Sequence, residues 1–95
     1  MYINATGFYV PQWRVSNDYF FEINGKTDEW IRQRTGIITR SRATDEENVN
    51  TMGLLAVEDA LKSLPYDISE VDLIVAASYS PHDTVATPAH VVQNR

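Results

Sequence analysis

The chain has 95 residues, no cysteine and a formal net charge of −5. That length holds one domain at most, with a modest core. With 43% hydrophobic and 22% charged residues, the composition is that of an ordinary folded protein rather than a disordered one. Without cysteine, these residues supply no disulfide, thiolate metal site or cysteine nucleophile. The acidic balance gives a nucleic-acid surface no overall support. No apolar run approaches the roughly 18 residues of a membrane span. The opening Met1-Tyr2-Ile3-Asn4 lacks the basic and apolar regions of a secretory signal, so a cytoplasmic location is expected.

Tyr2 to Val10, rich in Ile, Thr, Phe, Tyr and Val, predicts a strand bounded by Pro11. Gly7 within it suggests a bulge or a close approach by another backbone. Asn17 is placed to cap a short helix over Tyr19 to Ile23, stopped near Asn24-Gly25. Thr27 opens a second helix with Asp28 and Glu29 in its first turn and Arg32 and Arg34 in its last. That order complements the helix dipole, and Thr35-Gly36 supplies the stop. Ile37 to Ala43 reads as an extended segment or edge strand.

Thr44 and Glu47 match a capping box, and the helix that follows runs to about Leu64, where Pro65 ends it. Val49, Met52, Ala56, Ala60 and Leu64 recur at helical spacing, and Leu55, Val57 and Leu61 widen the stripe. Asp72 to Ser78 is continuously apolar after its first residue, as in a strand buried on both faces of a parallel sheet. A loop over Tyr79 to Ala86 leads to Thr87 as N-cap and Pro88 at the first helical position. The order of elements is α/β. The final helix opens and does not close before Arg95.

Several motifs carry no chemistry. Gly25-Lys26-Thr27 resembles the tail of a phosphate loop, but Phe20 stands where its first glycine belongs. His82, Asp83 and His90 lack the spacing of metal ligands on a helix, so no metal site is expected. Asn4-Ala5-Thr6 is a glycosylation sequon in a chain without a secretion signal. The run Asp45-Glu46-Glu47 suits a helix N-terminus.

One cluster stands out. Arg32, Arg34, Arg40 and Arg42 are four of the eight basic residues and lie beside Trp30. Trp30 and Arg34, four apart, share a helix face. An indole with a guanidinium beside it suits an aromatic base carrying phosphate. Composition alone favours the other reading, a core Trp30 with the arginines solvated beside Asp28 and Glu29.

The block Thr27-Asp28-Glu29-Trp30-Ile31, followed by Arg34-Thr35-Gly36-Ile37, resembles the signature near the N-terminus of beta-ketoacyl-acyl carrier protein synthase III. This is the initiating condensing enzyme of fatty-acid synthesis, in the thiolase superfamily. Gly7, Tyr9 and Pro11 precede the block, Asn17 and Phe20 fit the family pattern, and Arg40 and Ala43 follow it. Met52, the stretch from Ala56 to Leu61, and Asp72 to Ser78 resemble the family's next helix and strand. The resemblance covers essentially the whole chain.

It implies an N-terminal portion of a thiolase-like fold, with a mixed sheet and covering helices, incomplete in this chain. It implies a transferase that joins an acyl-CoA primer to malonyl-acyl carrier protein with loss of CO2. It also implies that Trp30 stacks on the adenine of coenzyme A and that Arg34 helps hold the nucleotide end. Coenzyme A thioester is then substrate, with no resident cofactor. The implied partners are acyl-CoA and acyl carrier protein, with no nucleic acid and no membrane, in a homodimeric parent enzyme.

Two departures stand against the pattern. Val85-Ala86-Thr87-Pro88 replaces the family's Pro-Ser step after an inserted loop residue, and Val85 is smaller than the apolar residue some members place there. The family's catalytic Cys, His and Asn have no counterparts here, and His82 and His90 do not match the catalytic His. The expectation is a chain that stops inside a helix before the nucleophile, is inactive alone and, with apolar surface and a strand edge exposed, dimerises, swaps or is partly disordered, especially beyond about Ala86. The alternatives are a portion of another thiolase-superfamily enzyme, such as a hydroxymethylglutaryl-CoA synthase or a secondary-metabolite ketosynthase, and a non-catalytic CoA- or carrier-protein-binding module.

Overall fold

The computed structural model describes residues 1–80 and 88–94. The chain divides into two compact units, Pro11–Thr44 and Met1–Val10 with Asp45–Arg95.

The Pro11–Thr44 unit holds β1 (Arg14–Ser16), α1 (Asp18–Asn24), α2 (Asp28–Thr35) and β2 (Thr39–Ser41). β1 and β2 pair antiparallel with Arg14 opposite Ser41, Val15 opposite Arg40 and Ser16 opposite Thr39. The Arg42 N–H donates to the Trp13 carbonyl at 2.9 Å, so Trp13 and Arg42 continue the register. A two-stranded ladder is marginal by itself and needs packing on a face. Val15 supplies it, 7% exposed and the one buried apolar side chain among the described residues.

Local signals set both helices. Gly25 takes φ 70° and its N–H closes on the Phe21 carbonyl, ending α1 as expected. The Thr27 hydroxyl accepts from the Trp30 N–H at 3.2 Å, and Gly36 at φ 72° ends α2. A side chain at either glycine would be strained in this left-handed conformation. The extended segment expected over Ile37 to Ala43 is a strand only at Thr39–Ser41. Asn17 departs from expectation. It precedes α1 but its side chain does not cap the helix. The side-chain amide turns instead to Asp28 and the Ile37 carbonyl, which α2 and the approach to β2 bring within reach.

The other unit holds α3 (Val49–Leu61), a single 3-10 turn (Ile68–Glu70) and α4 (Pro88–Gln93), with α4 packed on α3. α3 starts later than the Thr44–Glu47 box implied. The cap is Asn48, whose Oδ1 accepts from the Asn50 and Thr51 N–H groups at 3.0 and 3.1 Å. Thr51 Oγ1 returns an acceptor to the Asn48 N–H at 2.9 Å, completing the box. Asparagine caps as well as threonine, and the Glu47 carboxylate is engaged by the Tyr9 hydroxyl. Along α3, Val49, Met52, Ala56, Val57 and Ala60 are half-buried, whereas Leu55 and Leu61 are exposed. Beyond Leu61 the chain tightens into three-residue turns through Leu64, short of the predicted helix end.

Two predicted strands are absent as strands. Residues 1–10 form no ladder but run against α3. A Cβ on Gly7 would lie 2.3 Å from the Ala56 carbonyl oxygen and 2.4 Å from the Ala60 nitrogen, so only glycine permits this approach. The close backbone contact expected at Gly7 is therefore present, with a helix as the neighbour. The Phe8 N–H donates to Asp59 Oδ2 at 3.3 Å. Residues 71–78 likewise form no ladder, and Leu73 and Val75 are 77% and 83% exposed instead of doubly buried. β-propensity describes fitness for a pleated, half-buried surface, and among the described residues no neighbouring strand offers one to either segment. The predicted loop and cap at residues 81–87, including His82, Asp83, Val85, Ala86 and Thr87, lie outside the described residues, as does Arg95. Pro88 does begin α4. No helix among the described residues is long and apolar enough to cross a membrane.

Candidate functional site: the Trp30 face

α2 positions the candidate site. The Thr27 cap holds the Trp30 backbone three residues into the helix, and the four-residue step to Arg34 brings the guanidinium back over the indole. Arg34 Cζ lies 4.6 Å from the Trp30 ring centroid. Lys26 reaches the same ring from just before the cap, with Nζ 4.5 Å from the centroid. Trp30 remains 40% exposed, so it is not a core residue here. An exposed indole with two cations presents an aromatic surface and positive charge together. It suits a planar anionic ligand.

The remaining members of the arginine cluster are engaged elsewhere. Arg32 Nε bonds Asp28 at 2.9 and 3.1 Å, a pair on the helix flank. This matches the bland expectation of an arginine solvated beside Asp28. Arg40 belongs to the interior of the unit. Its guanidinium donates to Asn17 Oδ1, and its Cζ sits 4.5 Å from the Phe20 centroid. Arg42 Cζ lies 5.5 Å from the Trp13 centroid and 5.1 Å from that of Tyr19, whose hydroxyl accepts from Arg42 Nη1.

Asn17 is the hub behind this face. It is 1% exposed and donates through Nδ2 to Asp28 Oδ1 at 2.7 Å and to the Ile37 carbonyl at 2.8 Å, while Oδ1 accepts from Arg40. Every polar position of the amide is thereby used against β2, its approach and the first turn of α2. The Asn17 bond holds the Asp28 carboxyl below its ordinary pKa, and Arg32 adds to the effect. The ionised carboxylate then braces the first turn that carries Trp30.

Of the two site residues singled out from sequence, Trp30 and Arg34, the structure brings both onto one helix face. Sequence reasoning missed Lys26, considered there only as part of a phosphate loop. The available signal was its place four residues before Trp30, adjacent to a cap. Among the described residues no group of three or more His, Cys, Asp and Glu side chains could hold a metal. His90 stands in α4, while His82 and Asp83 are outside the described residues.

No protein-family model matches the chain. Individual relatives do. The chain is 35% identical over 94 residues to a beta-ketoacyl-[acyl-carrier-protein] synthase III of Wolbachia pipientis, covering 99% of this chain. The crystal structure of the Thermus thermophilus synthase III superposes on 99% of the chain with a TM-score of 0.90 at 34% identity. Over nearly all of its length the chain is homologous to part of the beta-ketoacyl-[acyl-carrier-protein] synthase III enzymes. It spans 30% of the Wolbachia synthase III and 29% of the Thermus one. The priming beta-ketosynthase of the R1128 polyketide pathway is also similar, with a TM-score of 0.76 at 28% identity over 97% of the chain and 28% of its own length. The fold expected from the synthase III resemblance is thus the fold found, over the portion that the chain spans.

Proposed function

We propose that this chain carries the adenine-binding part of the coenzyme A site of a synthase III, the enzyme that joins an acyl-CoA primer to malonyl-acyl carrier protein with release of CO2. The observation that carries the reading is the exposed Trp30 indole with the Arg34 guanidinium 4.6 Å from its centroid. The adenine stacks on the indole, and Arg34 attracts the phosphates. Asn17 and Asp28 hold α2 at the angle that presents this face. With no cysteine in the sequence, these residues provide no thiolate to accept the acyl group. Their contribution is binding, and alone they are inactive. The reading places the enzyme in the cytoplasm, with acyl carrier protein as its partner and a homodimer as its assembly.

The test is coenzyme A affinity of the chain, read by calorimetry, in Trp30→Ala and Arg34→Ala. Base–aromatic stacking of about 1–3 kcal/mol predicts a loss of about fivefold or more for Trp30→Ala. Unchanged affinity in that variant refutes the assignment.

Similarity to the R1128 priming ketosynthase favours a second reading, in which the whole protein primes a secondary-metabolite pathway with a different acyl-CoA. Both readings use the same adenine platform and separate on the acyl group accepted.

A further inference from the structure

Lys26 is the feature of the Trp30 face that neither the sequence reading nor the adenine platform uses. Its backbone is tied down: the Lys26 N–H donates to Asn24 Oδ1 at 3.0 Å, between the left-handed Gly25 and the Thr27 cap. Its side chain is exposed and rests on the indole, with Nζ 4.5 Å from the ring centroid. The α2 carboxylates that could compete for it are engaged: Asp28 bonds Asn17 and Arg32, and Glu29 accepts from Gln33 at 3.2 Å.

A purine stacking on Trp30 competes with the resident cations for the ring. Arg34 is held at helical spacing from the indole. Lys26 stands on a flexible four-carbon stem outside the helix and is the one free to swing away. When it does, its anchored backbone keeps the ammonium beside the stacked ring, where phosphates on the ribose would lie.

We propose that Lys26 is a placeholder cation, covering the indole in the free chain and moving onto a phosphate of the bound adenine nucleotide. The proposal rests on Trp30 being an adenine platform. It makes Lys26 a selector for phosphorylated adenosine over the bare nucleoside.

The experiment measures dissociation constants for adenosine and for adenosine 3′,5′-bisphosphate. The readout is Trp30 emission in a Trp13→Phe background, which leaves Trp30 as the lone indole. Lys26→Met keeps the stem and removes the charge. The expected result has opposite signs. Bisphosphate affinity falls by about fivefold or more, as for an exposed charged contact, while adenosine affinity stays level or rises because the competitor has gone. Lys26→Arg retains most of the bisphosphate affinity. A Lys26→Met chain that loses both ligands equally, or neither, overturns the proposal. The platform itself fails separately, if Trp30→Ala, followed by calorimetry, still binds the bisphosphate as the parent does. If the parent binds neither nucleotide, both readings fail.

Discussion

The two units of this chain reach stability by different means. Pro11–Thr44 is short, carries six Lys and Arg against four Asp and Glu, and ties itself together with side-chain hydrogen bonds around one buried amide. The unit formed by residues 1–10 and 45–95 carries two basic residues against nine acidic ones. It leaves Ile3, Phe8, Leu73 and Val75 exposed. The first satisfies its polar groups from within. Both leave large apolar side chains exposed, Phe21 and Ile23 among them in the first, but the second also has apolar segments that form no ladder among the described residues. A chain can therefore be acidic overall and still present a basic face, because the charge is partitioned between units. The candidate nucleotide site belongs to the unit that carries the positive balance.

The sharpest way to break the comparison is at Gly7. Gly7→Ala places a methyl group within 2.3 Å of the α3 backbone, which cannot yield as a side chain could. Forced overpacking predicts a loss of about 3 kcal/mol. Amide exchange across α3 should accelerate, while α2 keeps its protection. Equal acceleration in both helices would show that the units do not respond separately.

Asn17→Ala attacks the other unit. It removes the donors to Asp28 and Ile37 and the acceptor for Arg40. Breaking one buried polar network predicts about 2 kcal/mol, read as faster exchange in α2 with α3 unaffected. Retained protection in α2 would mean that Val15 burial and not the amide hub holds the unit. Next in size is Asn48→Ala, which strips the α3 cap and predicts about 1 kcal/mol. Fraying of the first α3 turn by amide exchange checks it, and an unaltered first turn would return the cap to another residue.

How much of this was legible in the sequence depends on how local each determinant is. α2 was readable almost to the residue, because Thr27, the first-turn acids and Gly36 act within one helical turn. The α3 cap was misplaced because Thr44 and Asn48 are both competent caps, and the choice involves Tyr9, 38 residues away from Glu47. β1 was missed and the strands over Tyr2–Val10 and Asp72–Ser78 were expected wrongly for one reason. Strand formation belongs to a pair of segments, and single-sequence propensity describes each segment alone. Trp30 and Arg34 were visible as an i, i+4 pair. Lys26 was missed, since it lies outside the helix, where four-residue spacing to Trp30 does not by itself imply a shared face.

The smallest expected effect is also the most diagnostic of what braces the basic unit. The Asp28 carboxyl is held below its ordinary pKa, first by the Asn17 amide and then by Arg32. A carboxyl depressed on folding adds stability above its unfolded pKa. That stability fades as pH falls through the unfolded value, about 3.9, and on through the folded one. The contribution is small, because the side chain is 38% exposed and solvent screens the Arg32 pair. In an acid titration followed by amide exchange, α2 should lose protection in that window. Asp28→Asn should flatten the α2 profile there, since an amide does not titrate, while its oxygen still accepts from Asn17. An α2 profile that keeps its full acid dependence in Asp28→Asn would move the brace to another carboxylate and detach the Trp30 face from Asn17.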